Sequence, residues 1–297
     1  MTLVPSAPIS AAWIGCFIRA SIAVPWPAHG CGQEGHSIIA EIAQHRLSPA
    51  ASAEVTRVLG PNRSLASVGS WADDERDRRP ETYRWHFVDI PLAETRYDAK
   101  RDCEPKPDGD CIVAELERLA KELRCARTDD QRRDALRFAV HFVGDIHQPL
   151  HTVDEARGGN DIPVEVRMRG AVLCRNGPCQ PLQSRSNFHR VWDTTLIQRT
   201  TWSWGSYADR LEAGWLQSAE AKGVDGGTPA DWAEQTHAAA RQVWEAMPKN
   251  HLLDDHYYQA VQPVLDRQLG LAGLRLARFL NEAYSAQSEA IYACRMG

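Results

Sequence analysis

Hydrophobic positions recur at helical spacing over most of this chain. In the stretch GHSIIAEIAQHRL, Ile38, Ile39, Ile42, Ala43 and Leu47 fall on one stripe and predict a first helix. Ser48 and Pro49 have the cap and first-turn chemistry of a second helix through Leu59, and Gly60-Pro61-Asn62 is a turn. Ser64 to Asp74 predicts a short third helix that brings up Trp71, Ala72 and Asp73. The charged run from Asp77 to Glu81 reads as solvated, and Trp85-His86-Phe87-Val88-Asp89-Ile90-Pro91 as a short extended piece. Cys111 to Arg124 is amphipathic, and Asp129 to Leu150 predicts a long helix.

Helical periodicity lapses over residues 152–185. Gly158-Gly159-Asn160-Asp161 is a turn, after which Val164, Val166 and Met168 alternate with charged residues and predict a small β-hairpin. Helical spacing returns from Asn187 to Leu196 and again over about 205–222, 229–246 and 252–291. No internal repeat or low-complexity linker divides the chain. The pattern therefore predicts an all-α, mainly helical single domain with a small β-hairpin.

Residues 1–30 stand apart. Ile9 to Ile18 is apolar, Arg19 interrupts it, and a second apolar piece runs to Trp26. Ala28-His29-Gly30 offers small residues where a signal peptidase reads, so 1–30 is expected to be an export signal and 31–297 the mature domain. The apolar run is too short and too interrupted for a transmembrane helix. Acylation of Cys31 as a lipoprotein would want leucine three residues earlier, where Ala28 stands.

The 297 residues are 43% hydrophobic and 25% charged with a formal net charge of −5, an ordinary globular composition. There is no long basic run and no arginine-rich tail, whereas a nucleic-acid binder that works by counterion release usually shows a basic face. If the protein handles phosphate esters, bound cations must supply much of the positive charge. The ten tryptophans are scattered and read mostly as core; this includes Trp202 and Trp204, for which stacking on bases is the alternative. Of eight cysteines, Cys16 lies in the leader. Cys103 and Cys111 flank EPKPDGD, and Cys174 and Cys179 flank RNGP, two small loops of the kind disulfides close in an oxidising compartment. Cys31, Cys125 and Cys294 remain unassigned, and the paired CxxC spacing of a cysteine zinc site is absent.

The densest chemistry is HFVGDIHQPLH, residues 141–151. His141 and Asp145 are four apart and share a helix face, and His147 and His151 repeat that spacing. Pro149 bends or ends the helix so that the following histidine can point elsewhere. Imidazole and carboxylate together suit zinc. Further candidates are His36, Asp73, His86, His189 and Asp193, the last two again at i, i+4. Five segments converging on one spot is what a multinuclear metal site needs.

GQEGH, SWADD, WHFVDIP, HFVGDIHQPLH followed by GGN, and NFHRVWD occur in this order. Together they resemble the trinuclear-zinc nucleases of the S-one/P-one type, whose outer relatives are zinc-dependent phospholipases C. The resemblance covers about residues 31 to 200. It implies that Asp73, His86, His141 and Asp145 hold one zinc, with Asp145 bridging to a second that His36 also binds. It implies that His151, His189 and Asp193 hold a third. Arg76 matches a basic residue that neutralises phosphate charge, and Asp73 also orients the attacking water. Asn160 lies where the family has a substrate-facing loop. His147 is not a family ligand and reads as a supporting or packing residue. The family's mature chain begins with tryptophan, whose amine and carbonyl complete the second site; here that position is Cys31, whose backbone can serve once cleavage falls after Gly30.

The implied enzyme is a zinc-dependent phosphodiesterase, an exported monomeric endonuclease that cleaves single-stranded DNA and RNA to 5′-phosphorylated products, with 3′-nucleotides as further substrates. Two readings compete with it: a phospholipase C with the same metal chemistry, and a non-catalytic zinc-binding protein. His29, His45, His237, His251 and His256 match no ligand motif and are expected in surface or core roles.

Overall fold

The computed structural model describes residues 32–285 and Cys294. The expected export signal, Cys31 and the far end of the last predicted helix lie outside the described residues. The architecture is helical, with one small sheet on its flank. The first helix, α1 (Gly32–Gln44), buries Ile38, Ile39 and Ile42 against α9 (Asp255–Ser285), the longest described helix. Burial of each isoleucine contributes about 1.5–3 kcal/mol. The two helices come close because Gly273 has no side chain: a Cβ there would lie 2.4 Å from Ile42 Cγ2.

Ser48 caps α2 (Pro49–Leu59) by accepting from Ala51 N, as its sequence indicates. The predicted third helix is two pieces. A 3₁₀ turn, Leu65–Val68, and α3 (Trp71–Glu75) are separated at Gly69 and Ser70. The helices α4 (Ile112–Cys125) and α5 (Asp129–Asp145) pack on each other, and Thr128 and Gln131 form a capping box at the start of α5. Downstream lie the helical stretch α6, residues 188–198, then α7 (Trp204–Ala213) and α8 (Pro229–Glu245).

The sheet has strand order β4-β1-β5. Strand β1 (Pro163–Met168) pairs antiparallel with β4 (Leu182–Asn187), with Val166 opposite Ser184. Along β1 burial alternates, with Val164, Val166 and Met168 inward. Between them β2 (Leu173–Cys174) and β3 (Gly177–Pro178) make a minor hairpin. Strand β5 (Leu252–Asp254) runs parallel to β1.

Several expectations are corrected here. The long helix stops at Asp145 rather than Leu150, because Gln148 and Pro149 start a 3₁₀ turn, Pro149–Thr152. The charged run from Asp77 to Glu81 is mostly exposed, as expected, but Trp85 and His86, read as extended, close a 3₁₀ helix over Pro80–His86, and the chain extends only from Phe87. The last helix begins at Asp255, because Leu252–Asp254 pairs with the buried β1, a tertiary partner that local periodicity does not register. The 205–222 helix ends at Ala213, at Gly214. Trp202 and Trp204 are 72% and 38% exposed rather than core, since they lie in and just after the loop that leads into α7.

Cys103–Cys111 and Cys174–Cys179 are disulfides, matching the two loops read from sequence, and Cys125 pairs with Cys294. The last bond spans a sequence separation of 169 and ties the end of α4 to the chain's C-terminal end. No described helix is long and apolar enough to cross a membrane.

Candidate metal centre

Eight buried or nearly buried side chains from five segments meet at the C-terminal end of α5. His141 and Asp145 project from one face of α5, one turn apart. Asp73 comes from α3 and His86 from the last residue of its 3₁₀ helix. His36 comes from α1, which reaches α5 across two glycines. A Cβ on Gly144 would lie 2.6 Å from His36 Nδ1, and one on Gly69 would lie 3.0 Å from His36 Cβ. After the break at Asp145, Gln148 Oε1 accepts from Leu150 N and the turn at Pro149 swings His151 inward. His189 and Asp193 lie on α6, His189 in its first turn and Asp193 within the π turn over Val191–Thr195 that follows.

Asp145 is the hub. Its Oδ2 lies 2.9 Å from His86 Nδ1 and 3.0 Å from His141 Nε2. Its Oδ1 lies 3.4 Å from His36 Nε2 and 3.6 Å from His151 Nδ1. Asp73 Oδ1 is 3.6 Å from His141 Nε2 and 3.8 Å from His86 Nδ1. On the far side, Asp193 lies 3.5 Å from both His151 Nε2 and His189 Nε2. The ligand atoms form three groups, each within 4.8 Å: His36, His141 and Asp145; Asp73, His86 and His141; His151, His189 and Asp193.

A family model described as S1/P1 Nuclease matches residues 31–285. The chain belongs to the S1/P1 nuclease family. It is 28% identical to Endonuclease 2 of Arabidopsis thaliana, over 86% of this chain and 91% of that protein. It is 27% identical to Nuclease S1 of Aspergillus oryzae, over 88% and 94%, and 28% identical to Nuclease P1 of Penicillium citrinum, over 86% and 98%. The protein is thus a nuclease, a hydrolase of phosphodiester bonds, and its family is zinc-dependent.

The side chains of this nuclease fit zinc on their own terms. His36 Nδ1 and Nε2, His86 Nε2, Asp145 Oδ1 and His151 Nε2 are buried with no hydrogen-bond partner. Each such group costs about 1–3 kcal/mol if left so. Nitrogen and carboxylate oxygen in sets of three are a zinc donor set. Backbone carbonyls meet the outward ring nitrogens. His141 Nδ1 lies 2.7 Å from Gly69 O, His151 Nδ1 2.9 Å from His86 O, and His189 Nδ1 2.8 Å from Gly158 O. Donation to those carbonyls leaves each Nε2 with its lone pair directed at a carboxylate.

The third contact explains the GGN loop. Gly158 and Gly159 have φ of 61° and 82°, and a Cβ on Gly158 would lie 2.4 Å from Leu150 O. Ala156 and Arg157 also have positive φ, an unfavourable state for non-glycine residues.

Burial pushes His36 and His86 down, His86 to about 4, so both are neutral imidazoles. Burial alone would also lower His151, but the Asp145 and Asp193 carboxylates outweigh it and push it up to about 9. His141 is raised in the same way by Asp145 and Asp73 against its burial. Asp145 would be raised by burial, yet the His141 and His151 rings hold it well below the usual carboxylate range.

Arg76 sits beside the cluster with Nη2 2.9 Å from Asp73 Oδ1. Asn160 is half-buried, and its side-chain amide donates to Arg157 O. His147 turns away from all three groups. Its Nδ1 donates to Val143 O, its Nε2 accepts from Arg275 Nη1 at 2.9 Å, and burial beside Arg275 keeps it neutral. His45, His237, His251 and His256 also lie outside the groups; His237 is buried between the carbonyls of Thr152 and Glu94.

Sequence reasoning missed Gln148, whose Nε2 donates to Asp193 Oδ1 at 2.6 Å and links the two halves of the centre. The available signal was an amide next to His147 inside the ligand motif. It also missed Gln268 on α9, which donates to the His147 carbonyl.

Gly144→Ala should keep or raise helix content, since alanine favours helix by up to about 1 kcal/mol over glycine. It should nevertheless displace His36 and lower bound zinc. Elemental analysis alongside circular dichroism reads both, and unchanged zinc content would contradict the close-approach argument. A second outcome concerns pH. His151 holds a proton below about 9 in the metal-free protein, and a metal must expel it. Apparent zinc affinity should therefore climb as pH rises toward about 9 and level off above it. Chelator competition across that range tests this, and a flat profile would count against it.

Proposed function

We propose that this protein is an exported, zinc-dependent endonuclease. It cleaves single-stranded DNA and RNA to 5′-phosphorylated products and also removes phosphate from 3′-nucleotides. The observation that carries the reading is the convergence of eight His and Asp side chains, in the family's motif order, into three groups, two of which share His141 while the third is built on His151, His189 and Asp193. Asp73, His86, His141 and Asp145 would hold one zinc ion. Asp145 would share a second with His36, completed by the backbone of Cys31 once cleavage falls after Gly30. His151, His189 and Asp193 would hold a third.

Zinc, when bound, supplies Lewis acidity toward phosphate oxygens and acidifies water. The chain's own groups do the rest. Asp73 presents a carboxylate that can orient the attacking water and accept its hydrogen bond. Arg76, adjacent to Asp73, neutralises charge that develops on the phosphate. Asn160 offers an amide to the substrate from the GGN loop. The water oxygen bonds to phosphorus, the P–O3′ bond breaks, and the 3′ oxygen takes up a proton. A single strand can bend one phosphate into a recess whose ligands are this deeply buried, whereas a stiff duplex cannot.

Export is supported by the apolar segment within 1–30 and by three disulfides, which persist in oxidising compartments. The domain is 31–297, and it acts as a monomer.

Zinc-loaded protein should release 5′-nucleotides from single-stranded DNA and no choline phosphate from lecithin; the reverse result would assign it to the phospholipases. Asp145→Asn should lose zinc from two groups together and abolish turnover. His147→Gln should cost at most about tenfold in metal affinity, the lower end for a supporting residue. Loss of a whole zinc from the His147 variant would break the assignment.

A further inference from the structure

Two ligands of the third group are steadied by backbone carbonyls. His151 Nδ1 meets His86 O at 2.9 Å, and His189 Nδ1 meets Gly158 O at 2.8 Å. The remaining ligand, Asp193, cannot be held in this way, because a carboxylate oxygen accepts and needs a donor. It also lies in the π turn over Val191–Thr195, outside the regular α-helical ladder. The donor it meets is Gln148, whose Nε2 lies 2.6 Å from Asp193 Oδ1.

The direction of that amide is fixed by its other end. Gln148 Oε1 accepts from Leu150 N, and a backbone N–H can only donate, so the NH2 group must face Asp193. The side chain is 2% exposed and borders a small void that Ile39, Trp192, Ile197 and Leu269 also line. In apolar surroundings an amide-to-carboxylate bond is stronger than in water, and a partner left unpaired is costly.

One amide thus acts on two ligands from separate segments. Its oxygen caps the 3₁₀ turn Pro149–Thr152, which carries His151. Its nitrogen holds Asp193, 45 positions further along the chain. The same Asp193 Oδ1 faces His151 Nε2 at 3.5 Å, while Oδ2 faces His189 Nε2 at 3.5 Å. A carboxylate fixed by one donor cannot turn, and it keeps lone pairs on both oxygens for a cation. A neutral amide orients Asp193 without cancelling its charge, which lysine or arginine at this place would do. The close pair of groups is less prepared: His36 has neither ring nitrogen hydrogen-bonded, and Asp145 Oδ1 is likewise unmatched.

We propose that Gln148 is the positioning residue of the third zinc group. It acts through Asp193 and the His151 turn rather than on the substrate, and it sets the affinity of that group for its ion. The inference rests on the zinc-nuclease reading and names the residue on which the third ion depends.

The test uses full-length protein stripped of metal. Gln148→Met keeps the length of the side chain and removes both hydrogen bonds. Gln148→Glu keeps an oxygen for Leu150 N and removes the donor to Asp193. His189→Ala is the reference for a lost third site. Zinc is titrated against a chelator, and cobalt(II) is titrated in parallel, its visible absorption reporting the ligand set at each site. In both Gln148 variants two ions should bind as in the wild type, while the third weakens about 10–100-fold, the range for a lost outer partner of a ligand. The cobalt spectra should lack the bands that His189→Ala also lacks. Cleavage of single-stranded DNA by Gln148→Met should return to the wild-type kcat once zinc is raised enough to refill the site, whereas His189→Ala should not recover.

Unchanged affinity for the third ion in Gln148→Met overturns the proposal. So does an equal fall at all three sites, which general loosening of the fold would give. Wild-type affinity in Gln148→Glu alone would show that the cap on the turn matters and the bond to Asp193 does not, which also overturns it. A wild type that binds three ions and cleaves no phosphodiester, with the third ion lost in both Gln148 variants, would leave Gln148 its role and sink the nuclease reading instead.

Discussion

A single buried carboxylate governs this structure. Asp145 is removed from water and faces four imidazoles, two on each oxygen. An ionised group so placed costs several kcal/mol unless matched by charge. Protonated histidines supply part of that match, which is why Asp145 is depressed while His141 and His151 are raised. Cations bound among the same atoms would supply it more completely, and His36 Nε2, His151 Nε2 and Asp145 Oδ1 are among the buried atoms left without hydrogen-bond partners. Stability and function thus draw on the same residues, and any change that neutralises one imidazole or moves one carboxylate alters both.

The packing around the centre serves that carboxylate. Gly144 and Gly69 let α1 come close enough to deliver His36, and Gly158 presses its carbonyl onto His189. Close approach without side chains at Gly69, Gly144 and Gly158 brings His36 and His189 into their ligand groups. The main-chain cost is local: positive φ at Ala156 and Arg157, and a helix that breaks after Asp145. From the other side, α9 braces the break. Arg275 holds the His147 ring and Gln268 holds its carbonyl, and Gln148 reaches across to Asp193. The C-terminal third, where no ligand motif lies, thereby sets the angle between the two halves of the centre.

Much of this was legible in the residues. The His141/Asp145 and His189/Asp193 pairs needed only the helical repeat, because i, i+4 neighbours share a face wherever the helix packs. The first two helices, the helical class, the alternation of β1 and the two small disulfide loops also follow from local pattern. His147 could be set aside on motif grounds before its contact with Arg275 was known. What local pattern misread were segments shaped by distant partners. These are the 3₁₀ helix that presents His86, the strand Leu252–Asp254 taken as helix, and Trp202, taken as core.

The sequence by itself determined which side chains could bind metal and in what order they come, since ligand chemistry and helical spacing are properties of neighbours along the chain. Only the tertiary structure decided that four imidazoles face Asp145, that Cys125 meets Cys294, and that Gln148, Gln268 and Arg275 hold the turn between the ligand groups. Those are relations between residues up to 169 positions apart. They are set by which surfaces bury against each other, and no periodicity within a segment encodes them.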